Sequence, residues 1–299
     1  MEGLVKLSFY SFTAATIALV AAALCYGVHA VGRVRVRRAA LSTGTGTTVT
    51  AHAAEFGPGP VAAGRYATML AWFGLAFQGL AILFRTLASK SAPSNMYEFS
   101  LIFVFAVVLI YLWFERSYGA KQLGAVVLPI AVGMAAYVWS LPVAMREVNP
   151  LIPALQNQPL MTAHVSLAIF AYASFAVSFG AAVLYLVAER RRVSWLPSPA
   201  MLDDIGYRAV TVGFPMMAGV LILGSVWAYQ AWGTYWSWDP KETSALFLWL
   251  VYGVYLHTRS LRGWRGTRSA WILIFGFGAV LFTYYGNYFF GGLHAYGGV

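Results

Sequence analysis

Long apolar runs alternate along the chain with short polar stretches. The runs fall at residues 5–28, 66–87, 99–114, 122–141, 164–188, 208–229, 242–258 and 269–290. Each is near the ~20 residues that an α-helix needs to cross a bilayer. The pattern predicts an all-α polytopic membrane protein with about eight transmembrane helices. At about 24 residues, the first run is longer than the roughly 7–15 apolar residues of a secretory signal. RVRVRR follows it at residues 33–38 as a cytoplasmic stop, so the run is predicted to be a retained span. Residues 39–64, rich in Gly, Thr and Ala, read as a flexible cytoplasmic loop in which His52 is an ordinary exposed histidine. This divides the chain into residues 1–65, the first helix with a basic loop, and residues 66–299, a transmembrane core.

Charge orients the bundle. The 299 residues are 60% hydrophobic and 10% charged, against about 25% charged in soluble domains. A formal net charge of +10 raises the question of nucleic acid. The basic residues, however, cluster in alternate loops, at Arg33–Arg38, Arg65, Arg116–Lys121, Arg190–Arg192, Arg208 and Arg259–Arg268. These groups hold fifteen of the 20 Lys and Arg, the positive-inside pattern of a membrane protein. Both termini are therefore expected outside, with no nucleic-acid partner. The single cysteine, Cys25, lies in an apolar run and forms neither an intrachain disulfide nor a CxxC pair.

The chemistry concentrates in WGTYWSWDPKET, residues 232–243. Trp232, Tyr235, Trp236 and Trp238 precede Asp239-Pro240, with Glu242 two residues later. Asp at the N-cap, Pro at the first helical position and Glu at the third predict a helix start with a capping box. An interfacial aromatic belt is the plainer account of the tryptophans, but a belt scatters its rings. The loop, residues 230–243, lies on the predicted outer side. His164 and His294 are predicted on that side too. His257, 17 residues past Pro240, lies about 26 Å further along its helix, at 1.5 Å per residue. Gly253 lies one turn before it and leaves room for a flat group. His29 ends the first span on the inner side. An ionisable residue in a span is a functional hypothesis by default; the plainer account of His257 is a histidine snorkelling to the inner interface.

WGTYWSWD resembles the tryptophan-rich WWD signature of the haem-handling membrane proteins of cytochrome c assembly. One histidine before the motif, one in the membrane after it and one near the C-terminus resemble the CcsA, or ResC, branch. The resemblance covers roughly residues 66–297. It implies that His164 and His294 ligate the iron of an external haem b, that Trp232, Trp236, Trp238 and Asp239 belong to the haem-binding set, and that His257 ligates a second haem within the membrane. A CcsB/ResB-like partner would supply the other ligand to that haem, with His29 the internal substitute. The helix N-terminus at Asp239, with Lys241 or Arg146, is expected to receive the propionates.

The implied function is haem transport to the outer side and its covalent attachment to the CxxCH segment of apocytochrome c, as a subunit of the cytochrome c synthase. Haem is substrate and bound intermediate, thiol-reducing proteins are further partners, and no residue is expected to act as a catalytic acid or base. Arg-, Ala- and Gly-heavy usage points to a bacterial plasma membrane, with the thylakoid as the alternative. Two rivals are a smaller haem-handling subunit of the multi-subunit pathway and a non-haem small-solute transporter. The transporter needs intramembrane carboxylates or broken helices, and no Asp or Glu is expected deep inside a span.

Overall fold

The computed structural model describes residues 2–42, 59–89, 95–148, 158–191, 196–261, 263–286 and 290–294. Among them the regular elements are all helical. They are α1 (Glu2–Ser42), α2 (Gly59–Ser89), α3 (Met96–Tyr118), α4 (Gly124–Ser140), the one-turn α5 (Val143–Arg146), α6 (Gln158–Arg191), α7 (Pro199–Trp232), α8 (Pro240–Arg259) and α9 (Thr267–Tyr285). His52 falls outside the described residues.

Seven of these helices are long and apolar enough to cross a membrane. The eighth predicted span, α8, is not among them. Its 20 residues begin Pro-Lys-Glu-Thr-Ser and end His-Thr-Arg, which shortens the apolar stretch between. It nonetheless packs in the bundle beside α7 and α9. The protein is thus an all-α polytopic membrane protein, as the hydropathy predicts. α1 runs on through RVRVRR to Ser42 rather than ending before it.

The bundle is built around α6, which packs against α3, α4, α7 and α9. Its buried face carries Ala171, Ala173, Ser174, Ala176, Ser178 and Ala181. Such small residues let helices approach closely where water supplies no hydrophobic drive between them. Phe175 then stacks on Tyr252 of α8, ring centroids 3.7 Å apart and planes 8° apart.

Two acidic residues are buried near the ends of α3 rather than deep inside its span. α3 extends beyond its apolar run at both ends and takes Glu98 and Glu115 onto its buried face. Arg85 Nε of α2 donates to Glu98 Oε1 at 2.7 Å, and its two terminal nitrogens donate to the carbonyls of Arg146 and Glu147 at 2.7 and 2.9 Å. Glu115 accepts hydrogen bonds from Tyr26, Tyr111 and Thr68. Burying a charge is costly unless it is paired or hydrogen-bonded, and both carboxylates meet that condition as ties between helices near the ends of α3.

Antiparallel order brings the start of α6, the end of α7, the start of α8 and the segment after α9 to one end of the bundle. At the opposite end Arg259 of α8 grips Asp203 of α7, Nη2 to Oδ2 at 2.7 Å.

Candidate functional site

The tryptophan-rich loop is short because both flanking helices are tightly capped. α7 stops at Trp232, where Gly233 takes a left-handed conformation (φ 81°, ψ 3°) and returns its N–H to Tyr229. α8 starts at Asp239, whose Oδ2 accepts from Lys241 N at 2.9 Å, while Glu242 Oε2 accepts from Asp239 N at 3.3 Å. This is the predicted capping box. Trp238, just before it, has φ 60°, a left-handed conformation that costs a bulky residue roughly 1–2 kcal/mol. Thr243 Oγ1 holds its carbonyl at 3.2 Å, and the indole stands 70% exposed.

Asp239 does more than cap the helix. Its Oδ1 accepts from Leu293 N at 2.6 Å, and its Oδ2 accepts from His294 Nδ1 at 2.9 Å. The segment after α9 therefore folds back over the start of α8. Gly292 makes this passage possible, since a Cβ there would collide with Asp239 Oδ1.

His164, near the start of α6, donates from Nδ1 to Val220 O of α7 at 3.0 Å. Gly224, one turn further along α7, leaves its ring room: a Cβ would lie 2.7 Å from His164 Cε1. Trp227, a further turn on and 2% exposed, touches both imidazoles. Its ring lies near parallel to His164 (6.3 Å, 16°) and tilted against His294 (5.6 Å, 48°). Trp232 closes the cluster edge-on, 4.8 Å from Trp227 and 4.9 Å from His294.

The four aromatic residues of the motif thus serve different contacts. Trp232 joins the histidines, Trp236 and Trp238 pack edge-to-face at 5.6 Å, and Tyr235 stacks on Tyr229 at 4.4 Å. Trp227 and Gly224 precede the motif and went unread in the sequence. Their signal was weak: a lone tryptophan and a lone glycine on an apolar helix.

The hydrogen bonds define the tautomers. Val220 O has only lone pairs to offer, so His164 Nδ1 carries the proton. Burial pushes Asp239 upward, but hydrogen bonds from Lys241 N and His294, with that from Leu293 N, hold it below the usual carboxylate range. It is a carboxylate, and His294 Nδ1 is likewise the donor. Burial lowers His294 itself, against the opposing pull of Asp239. The pair is a carboxylate bonded to a neutral imidazole, and on both histidines Nε2 is the basic nitrogen. A metal-ligating histidine characteristically donates its other N–H in this way. Among the described residues no group of three or more His, Cys, Asp or Glu side chains is placed to hold a metal. Two imidazoles suit an iron that brings its own four porphyrin nitrogens.

The expected propionate receivers make bonds of their own. Lys241 Nζ donates to Thr283 O at 2.9 Å, tying α8 to α9. Arg146 donates to Leu141 O at 2.8 Å and to Trp139 O. The first N–H groups of α8 face Asp239's own carboxylate. Each expected propionate receiver thus also makes a bond within the protein, and Lys241 and Arg146 keep further N–H donors beyond those bonds. Gly253, expected to leave room for a macrocycle, faces Phe214, 3.5 Å from a Cβ built there, and Phe214 stacks on Trp249 at 5.1 Å.

Two further described histidines are apart from this site. His257 lies at the far end of α8, exposed on a face with Phe247, Leu250 and Val254. His29 is buried, its Nδ1 2.6 Å from Pro60 O, on α1, which packs on α2 and α4.

Comparison with known proteins identifies the family. CcsA, a cytochrome c biogenesis protein of Chlamydomonas reinhardtii, is 38% identical over 216 residues, covering 68% of this chain and 60% of its own length. CcsA of Heterosigma akashiwo is 38% identical over 246 residues, covering 68% and 76%. CcsA of Synechococcus elongatus is 35% identical over 255 residues, covering 68% and 78%. The cytochrome c haem lyase CcmF shares the fold, with a TM-score of 0.60 and 17% identity over 94% of this chain and 46% of its own. The sequence model of the cytochrome c assembly proteins matches residues 93–294, a stretch that includes both clustered histidines and the tryptophan-rich loop, and this chain belongs to that family.

Proposed function

We propose that the protein holds haem b at the outer membrane face between His164 and His294 and presents it to the CxxCH segment of apocytochrome c. The observation that carries this reading is the convergence of the two histidines on Trp227, each with its Nδ1 proton committed and its Nε2 basic. Trp232, Trp236 and Trp238 would pack on the flat macrocycle, and Asp239 would orient His294. The fifteen basic residues of the opposite loops support placing this end outside.

In the proposed attachment a substrate cysteine adds across a haem vinyl group. A C–S bond forms, the thiol proton ends on the neighbouring vinyl carbon, and no net oxidation occurs. This chemistry belongs to the reactants. The protein's part is to hold the iron and exclude water from the reacting edge, as a synthase subunit beside a CcsB/ResB-like partner. His257, on an exposed apolar face, would ligate a second haem whose other ligand comes from that partner. A bacterial plasma membrane is the proposed location.

The test is the spectrum of the purified protein. A two-imidazole haem signature is expected, lost in His164→Ala and His294→Ala and partly restored by free imidazole. Unchanged spectra and unchanged cytochrome c maturation in both variants would rule the site out.

A further inference from the structure

The two histidines are held by unlike partners. His294 Nδ1 donates to the carboxylate of Asp239 at 2.9 Å, whereas His164 Nδ1 donates to a backbone carbonyl, Val220 O, at 3.0 Å. The difference has a direct electronic consequence. A carboxylate draws the Nδ1 proton harder than a neutral amide oxygen does and raises electron density at Nε2. Outer-shell partners of this kind change metal affinity by about 10–100-fold.

Position reinforces chemistry. His294 lies outside any helix, yet Asp239 holds two successive residues of its segment, Leu293 through N at 2.6 Å and His294 through Nδ1. Asp239 is itself fixed as the N-cap of α8 and is buried. The ligand farthest from a helix is therefore tied to the start of one. His164 is carried by α6, its ring occupies the space left by Gly224, and among the described residues its Nδ1 bonds a carbonyl rather than a carboxylate.

We infer that Asp239 is a positioning residue that makes His294 the tighter of two unequal iron ligands and leaves His164 as the one that exchanges. The inference rests on the reading of this site as a two-imidazole haem site. The histidine of the incoming CxxCH segment then enters on the His164 side: the bond from iron to His164 Nε2 breaks, one to the substrate imidazole forms, and no electron is transferred. His294 keeps the iron in place meanwhile, so haem is not released before it is attached.

The experiment uses the full chain loaded with haem in nanodiscs, and two readouts other than attachment. The first is haem transfer to excess apomyoglobin. His294→Gly should lose haem at least about tenfold faster than His164→Gly; equal rates, or the reverse order, overturn the inference. The second is the midpoint potential. Asp239→Asn weakens the hold on ferric over ferrous iron, and a tenfold selective loss raises the midpoint by about 59 mV. In His294→Gly filled with 1-methylimidazole, which has no N–H to donate, the same Asp239→Asn change should leave the midpoint unmoved. A shift of equal size there would show that Asp239 does not act through His294. The transfer comparison leaves Asp239 intact, so it decides even if Asp239→Asn disturbs the helix cap. A wild-type protein whose haem lacks an imidazole-ligated spectrum removes the two-imidazole site itself, and is distinguished from a reversed order of release between loaded variants.

Discussion

Gly292 lies directly against Asp239: a Cβ on Gly292 would overlap Asp239 Oδ1 and stand 3.0 Å from Pro240 Cδ. Asp239 is the buried N-cap of α8 and yields little, so an added methyl must push the other strand of chain away. Gly292→Ala is expected to break the bonds from Leu293 N and His294 Nδ1 to Asp239. Haem retention should fall by about tenfold, the scale of a lost outer-shell partner. The helices are untouched, so their circular dichroism should stay at wild-type intensity. Normal haem retention would show that the passage over Asp239 is wider than the structure has it.

Gly224 and His164 give a second, sharper test. An alanine in a helix is favoured over glycine by about 1 kcal/mol, so Gly224→Ala should steady α7 were nothing in the way. The added Cβ instead falls 2.7 Å from His164 Cε1. The expected result is a protein that unfolds close to the wild type, the helix gain offsetting the crowding, but that binds haem poorly because the His164 ring is displaced. A melting curve and a haem titration on one sample check both halves.

These two contacts mark what the sequence left unread. Hydropathy located the spans because membrane crossing is a local, additive property of a stretch of side chains. The capping box was equally local, and Asp239, Pro240 and Glu242 sit where their spacing places them. The bond from His294 to Asp239 spans 55 residues, and nothing in either neighbourhood announces it. Trp227 was passed over because a tryptophan in an apolar run looks like any other. The surroundings of charges at the helix ends depend on how far each helix continues. Glu98 and Glu115 lay beyond the apolar run of α3, yet helix continuation buries both. Lys241 and Arg146, the expected anion receivers, each also donate to a carbonyl at a helix end, where cations settle naturally.

The pair Arg85 and Glu98 should carry much of the stability of the outer half of α2 and α3. Arg85 is 3% exposed and Glu98 5%. Removing one member of a buried pair strands the other charge, at about 3–5 kcal/mol. Arg85→Met is expected to cost that much in a denaturant titration of the detergent-solubilised protein. Arg85→Met with Glu98→Met should cost less than Arg85→Met alone, because no charge is left stranded. A double variant less stable than the single would mean that the carbonyls of Arg146 and Glu147, not Glu98, are what Arg85 serves.

The orientation can be read with thiols once Cys25, the single cysteine, is replaced by serine. Thr234 and Arg265 are both exposed, in the loops at opposite ends of α8. In intact cells a membrane-impermeant maleimide should label Thr234→Cys and spare Arg265→Cys until the membrane is broken. The reverse order would put the tryptophan-rich loop inside, and the external haem site would fall with it.

His257 tests the route by which haem arrives. It is 17 residues beyond Pro240 on one helix, about 26 Å away at 1.5 Å per residue. One haem cannot touch both His257 and the Asp239 cap over that depth. His257 is exposed beside Phe247, Leu250 and Val254, a face that a partner helix can cover, whereas His29 on α1 is buried against Pro60. A ferrous iron with one protein ligand would react with oxygen, so an inner haem at His257 would call for a second ligand, which the proposed function places on the partner. If the inner site feeds the outer one, His257→Ala co-expressed with the partner should lower haem at both sites. His164→Ala should empty the outer site and spare the inner. Haem per protein in the two variants, resolved by their spectra, decides the matter: a fully occupied outer site in His257→Ala would mean that haem reaches His164 and His294 by another path.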